Sequence, residues 1–171
     1  MIWKVVRQIA RTGIRTEPAP DIGAAAALEG ARIQKALLAI LGKALMVRMV
    51  DAGSCNGCEL EINALGNPYY NIEGLGIKFV ASPRHADLLL VTGPVSRNME
   101  TALRRTFDAT PEPKLVVAVG DCGCDGGIFG ENYASLGPVS KVIPVDVSVP
   151  GCPPPPIDIL RGILMAVRRR A

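Results

Sequence analysis

Apolar residues along the chain follow two rhythms: short aliphatic blocks, and longer stretches in which they recur every three or four positions. At the start, Ile2, Val5, Val6, Ile9 and Ile14 lie mainly on one helical side, opposite Lys4, Arg7 and Arg11. This predicts an amphipathic helix over 1–16, which the run Glu17-Pro-Ala-Pro-Asp-Ile-Gly ends. Residues 1–22 are therefore read as a separate helix and linker, and 23–171 as one domain. A basic helix so detached suits an anionic membrane surface or a partner, although it can equally pack as an ordinary helix. A second helix fits 24–42, with Ile33, Leu37, Ile40 and Leu41 on one face.

Beyond residue 43 the two rhythms alternate. Strands are predicted over 44–50, 76–81, 86–92, 114–119 and 141–145. Helices are predicted over 58–65, over 98–108 with Met99, Leu103 and Phe107 inward, and over 157–168. Strands alternating with helices predict a flavodoxin-like α/β fold, an open parallel sheet with helices on both faces, preceded by the separate amphipathic helix. The aliphatic blocks suit strands buried on both sides.

Composition agrees with that architecture. Of 171 residues, 49% are hydrophobic but only 4% are aromatic, so the core is aliphatic. The length suits one domain with a sizeable core. A net charge of +3 is too small to indicate nucleic acid. The opening Met1-Ile-Trp-Lys lacks the apolar stretch of a secretory leader, so none is expected. The longest candidate span, 36–49, is interrupted by Lys43 and Arg48, so no membrane crossing is expected. Five cysteines in such a chain argue for reduced thiolates over a disulfide framework.

Four of those cysteines form a pattern suited to metal: Cys55-Asn-Gly-Cys58, Cys122 in Gly-Asp-Cys-Gly, and Cys152 in Pro-Gly-Cys-Pro-Pro-Pro-Pro. Glycine lets backbone approach a bulky inorganic core and proline stiffens the loop that carries the sulfur. In an open parallel sheet, ligands gather where the carboxyl ends of strands open into loops. Each of the four follows a predicted strand, so all should leave the sheet on one edge. Zinc is the rival, but structural zinc ribbons usually supply two close pairs, and this chain has one pair and two single cysteines. A redox-active Cys55-x-x-Cys58 is a further alternative that leaves Cys122 and Cys152 unexplained. Cys124, two residues past Cys122, is a possible substitute ligand or a neighbour of the site.

The motifs Cys-Asn-Gly-Cys-Glu at 55–59, Ser-Pro-Arg-His-Ala-Asp at 82–87 and Thr-Gly-Pro-Val at 92–95 occur in that order. Gly-Asp-Cys-Gly at 120–123, Gly-Gly-Ile-Phe at 126–129 and Val-Pro-Gly-Cys-Pro-Pro at 149–154 follow. From about Val47 onward, this series resembles the small subunit of membrane-bound, energy-converting [NiFe] hydrogenases, the formate hydrogenlyase type. It is also akin to the B subunit of NADH–quinone oxidoreductase, complex I. In the complex I subunit the first two cysteine ligands are adjacent, whereas Cys55 and Cys58 are spaced as in hydrogenases.

The resemblance implies one [4Fe–4S] cluster on Cys55, Cys58, Cys122 and Cys152, proximal to a nickel–iron centre in a large subunit. It implies electron exchange with a ferredoxin-like polyferredoxin subunit, and further membrane subunits at the cytoplasmic face of the cell membrane. No hydrogen turnover is expected of this chain alone. The alternative it implies is a terminal cluster beside a quinone in a complex I-type enzyme. Cys124 is not part of the family pattern.

Other residues near these motifs carry expectations of their own. Glu59, directly after Cys58, is a candidate catalytic proton carrier, or else a charge favoured at a helix N-terminus. Arg84 and His85, the latter the single histidine, are candidates to surround the cluster, to meet the large subunit or to serve structure. Arg84 is also a candidate partner for Asp87. Asp121 and Asp125 are read as turn formers or partner contacts. Glycines 53, 57, 120, 123 and 151 are expected to bring amides close to the sulfurs.

Overall fold

Three aliphatic runs, Leu45–Asp51, Leu88–Thr92 and Leu115–Val119, form the middle of a parallel sheet (β1, β3 and β4). Ile77–Phe79 (β2) and Val147–Val149 (β5) form its edges, in the order β2-β1-β3-β4-β5. All four pairings are parallel, which is the flavodoxin-type order. The structure is a computed structural model that describes residues 42–170 and, ahead of them, only Trp3, Arg7, Ala10, Arg11 and Lys35, each helical and exposed. The rest of the two expected N-terminal helices, and the boundary at 22, lie outside the described residues. Gly42, the expected end of the second helix, sits in a bend with φ 64.

The period-two alternation of the strands divides the core. Leu88, Leu90, Val117 and Val119 face one layer, against Ile62 of helix α1 (Gly57–Ala64) and Ile159, Ile163 and Ala166 of helix α4 (Pro156–Arg170). Leu89, Val91, Val116 and Ala118 face the other. There they meet Leu103 of helix α2 (Arg97–Ala109) with Val139, Val142 and Ile143 of the segment before β5. Every residue of β3 and β4 is buried, as a strand covered on both faces requires. Helix α2 starts where the Ser96 hydroxyl accepts from the Met99 amide at 3.3 Å, an N-cap worth about 1 kcal/mol. A one-turn helix, α3 (Asp121–Cys124), follows β4. Among the described residues no helix is long and apolar enough to cross a membrane.

One predicted strand is misplaced. The chain over 141–145 forms no ladder: Val139–Lys141 is a 3-10 turn, and the strand comes later, at Val147–Val149. Pro144 has no amide to donate, and Val142 and Ile143 are buried by capping the α2-side core instead. Asp146 sets the new register, its carboxylate accepting from the Val116 amide at 2.7 Å and its own amide donating to the Val116 carbonyl at 2.9 Å. Cys152 therefore follows its strand by three residues.

Candidate metal centre

Parallel register puts Asp51, Thr92, Val119 and Val149 side by side at the carboxyl edge of the sheet. The cysteine loops rise from that line. Beyond β1, the Asp51 carboxylate accepts from the Gly53 and Ser54 amides at 2.8 Å each, and the Ser54 hydroxyl accepts from the Asn56 amide at 3.1 Å. This tight turn delivers Cys55 exposed and leads through Asn56, at φ 72, into α1, whose first turn carries Cys58. Beyond β4, Gly120 takes φ 84 and starts α3, which carries Cys122. Beyond β5, Gly151 at φ 132 leads to Cys152, which is exposed.

Glycines make room for the sulfurs. A Cβ on Gly120 would lie 2.6 Å from Cys58 Sγ, and one on Gly127 would lie 2.8 Å from Cys122 Sγ. Gly57 is not such a case, since a Cβ there would fall 3.6 Å from Cys55 Sγ, an ordinary contact. Gly127 was not among the glycines expected from sequence. Its signal there was the Gly126-Gly127 pair four and five residues past Cys122, and the Asp125 carboxylate fixes it by accepting from its amide at 2.7 Å.

The thiols feel one another. Burial first, and then the charges of Glu59, Cys55, Cys122 and Cys152, push the Cys58 thiol up to about 12. Cys122 is raised by burial and by the charges of Cys152, Cys55 and Asp121, against the lowering effect of a backbone hydrogen bond. Such thiols hold their protons until a cation replaces them. Among the described residues, no three His, Cys, Asp or Glu side chains are set to hold a single metal ion.

Cys124 stands apart. Burial raises its thiol, and hydrogen bonds with Ser148 and the Val149 backbone oppose that shift. Its Sγ lies 3.8 Å from the Ala118 carbonyl, turned toward the strands. The main charges acting on it are those of Asp121 and Asp125.

Glu59 is no surface charge on a helix end. It is 4% exposed, one of its oxygens accepts from the Thr92 hydroxyl, and Oε2 is buried with no hydrogen-bond partner. Thr92 Oγ1 also lies 3.4 Å from the Val50 carbonyl, and its single proton serves one of these acceptors at a time. The Thr92 partnership spans 33 residues and was invisible in the sequence.

Arg84 and His85 are not brought to the cysteines. They are exposed in the 3-10 turn Pro83–His85, which feeds the amino end of β3, the opposite edge of the sheet. Asp87 pairs with Lys43 at 2.6 Å rather than with Arg84.

An apolar loop lies beside the site. The segment after α3 is stitched to the β3–α2 connection by Leu136 and Val95, whose amides donate to the Val95 and Gly137 carbonyls at 2.8 Å each. The Arg97 guanidinium donates to the carbonyls of Tyr133 and Asn132. This loop exposes Ile128 at 92%, Tyr133 at 94% and, less fully, Phe129. Leu60 on α1 and Ile157 at the start of α4 are also exposed.

Comparison with known proteins gives these features a setting. The chain is 45% identical over 135 residues to the Pyrococcus furiosus protein named "Probable membrane-bound hydrogenase subunit mbhJ", covering 79% of this chain and 81% of that one. It is 45% identical over 137 residues to formate hydrogenlyase subunit 7 of Escherichia coli, covering 80% of this chain but 54% of the relative. A subunit in the structure of an archaeal membrane-bound sulfane sulfur reductase superposes with a TM-score of 0.65 at 33% identity, covering 80% of this chain and 73% of its own. The family model "NADH ubiquinone oxidoreductase, 20 Kd subunit" matches residues 55–166, from the first cysteine of the site into the last helix, and the chain belongs to that family of oxidoreductase-complex subunits.

Proposed function

We propose that this chain is the electron-transfer subunit of an energy-converting [NiFe] hydrogenase complex, holding one [4Fe–4S] cluster through Cys55, Cys58, Cys122 and Cys152. The observation that carries the reading is the meeting of four cysteines from three loops above one sheet edge, with glycines where a Cβ would strike the sulfurs. Those residues fit the group. A cluster spans a wider gap than one zinc ion, whose bonds to sulfur are about 2.3 Å. When bound, it supplies one-electron transfer near the nickel–iron centre of a large subunit.

The chain's own residues bind and shape the site. The Asp51 turn presents Cys55, α1 presents Cys58, and Gly120 keeps the wall open beside it. Glu59, buried behind Cys58 with the Thr92 hydroxyl on one oxygen and Oε2 left without a hydrogen-bond partner, is the candidate proton carrier in this reading. Cys124, turned toward the strands, is left out of the ligand set. The apolar loop around Ile128 and Phe129 offers the large subunit a surface next to Cys122. A ferredoxin-like subunit takes the electrons onward, and membrane subunits hold the assembly at the cytoplasmic face. Two of the relatives, one named a probable membrane-bound hydrogenase subunit and one from a membrane-bound sulfane sulfur reductase, support this setting.

A second reading has its own support. The matching family model is described by a quinone oxidoreductase, so a terminal cluster beside a quinone is the alternative. Metal analysis and EPR on the anaerobically purified complex test both. The hydrogenase reading expects iron with nickel, and a reduced four-iron signal that is lost with Cys152→Ser and kept with Cys124→Ser. Iron without nickel would favour the quinone reading, and zinc alone would sink both.

A further inference from the structure

Cys122 and Cys152 hang from different strands, and one residue ties their loops together. Asp121 directly precedes Cys122, and Gly151 directly precedes Cys152. The Asp121 amide donates to the Gly151 carbonyl at 2.9 Å, and the Gly151 amide donates back to Asp121 Oδ1 at 2.7 Å. Two bonds running in opposite directions between the same two residues fix both the separation and the rotation of the loops. They engage both backbone polar groups of Gly151. One residue earlier, the Gly120 amide donates to the Val149 carbonyl at 2.8 Å. The clasp thus carries the β4–β5 pairing past the strands to the residues that bear the cysteines.

An aspartate at the start of a helix ordinarily turns its carboxylate onto amides of that helix's first turn. Asp121 instead reaches a loop 30 residues away. We infer that Asp121 is a positioning residue whose clasp on Gly151 sets the spacing of Cys122 and Cys152, and so retains the cluster between them. The inference rests on the proposed four-cysteine ligand set. The carboxylate acts through the two loops and has no place among the ligands.

Three substitutions separate its geometry from its charge. Asp121→Ala removes the acceptor, Asp121→Asn keeps an oxygen at the same reach without the charge, and Asp121→Glu keeps the charge on a longer arm. Each complex is purified anaerobically, and iron per complex, the EPR spectrum after reduction and the rate of iron release to a ferrous chelator are measured. The alanine and glutamate variants are expected to release iron about tenfold faster than wild type, the size of one lost charge-assisted hydrogen bond, with shifted EPR g values. The asparagine variant keeps a neutral hydrogen bond of about half that strength and is expected to stay within about threefold of wild type with an unshifted spectrum. Melting midpoints of the same samples separate loosened loops from general misfolding, and should agree between the glutamate and asparagine variants. If the alanine variant does not accumulate, glutamate against asparagine carries the same comparison. Wild-type release and spectrum in the alanine or glutamate variant would overturn the clasp, as would an asparagine variant as leaky as either. A wild-type complex whose chain holds no four-iron cluster would instead overturn the proposed function, and this inference with it.

Discussion

Gly120 joins β4 to α3, and any side chain there meets both a backbone and a chemical obstacle. Its φ of 84 disfavours residues with a Cβ, and that Cβ would lie 2.6 Å from Cys58 Sγ. Gly120→Ala is therefore expected to displace the Cys58 sulfur and cut iron content to well under half of wild type, read as iron per complex and absorbance near 400 nm. The neighbouring Thr92 makes a different point. Thr92→Val keeps the shape but leaves both oxygens of buried Glu59 without a donor. Stranding a buried carboxylate in this way costs about 1–3 kcal/mol or more. A fall of at least about 2 °C in the melting midpoint of the complex is expected, and no change would mean that Glu59 finds another donor.

Elements show where close packing constrains the site from behind. Gly162 lets α4 lie directly on β5, because a Cβ there would collide with Val149 Cγ2. Val149 is buried and β-branched, so it has little freedom to yield. Gly162→Ala is expected to destabilise the fold by about 1–3 kcal/mol and to disturb β5, the strand that leads to Cys152, visible as a lower melting midpoint with reduced iron content. These central elements were legible in the sequence because Leu88–Thr92 and Leu115–Val119 are unbroken aliphatic runs flanked by turn residues. β5 was not. Val142, Ile143 and Val145 have strand composition, but their burial comes from closing one face of the core, and the ladder forms on a three-residue stretch too short to show a period. The strand shifted while Cys152 stayed on the predicted edge, since the parallel register aligns Val149 with Val119.

At the scale of the molecule, cysteine spacing and strand order together made the meeting of three cysteine-bearing loops readable in the sequence. What stayed hidden was long-range polar pairing: Glu59 with Thr92, Asp121 with Gly151, and Asp87 with Lys43 depend on which strand ends become neighbours. Also hidden was the distribution of exposed apolar surface. Ile128, Phe129 and Tyr133 project from a loop whose backbone is fastened to the β3–α2 connection, so their exposure belongs to an ordered surface beside Cys122. Electron exchange needs a partner close to the sulfurs, and apolar side chains at that position give it something to bury. Ile128→Asp places a charge where the proposed large subunit would exclude water, while leaving the cysteine loops and the core untouched. Loss of an anchoring contact costs about 2 kcal/mol or more, so recovery of the large subunit with this chain should fall by at least about tenfold. Iron bound per copy of this chain should stay at the wild-type level. Undiminished co-purification would move the docking surface away from this loop, and loss of iron as well would make the loop part of the cluster's own support.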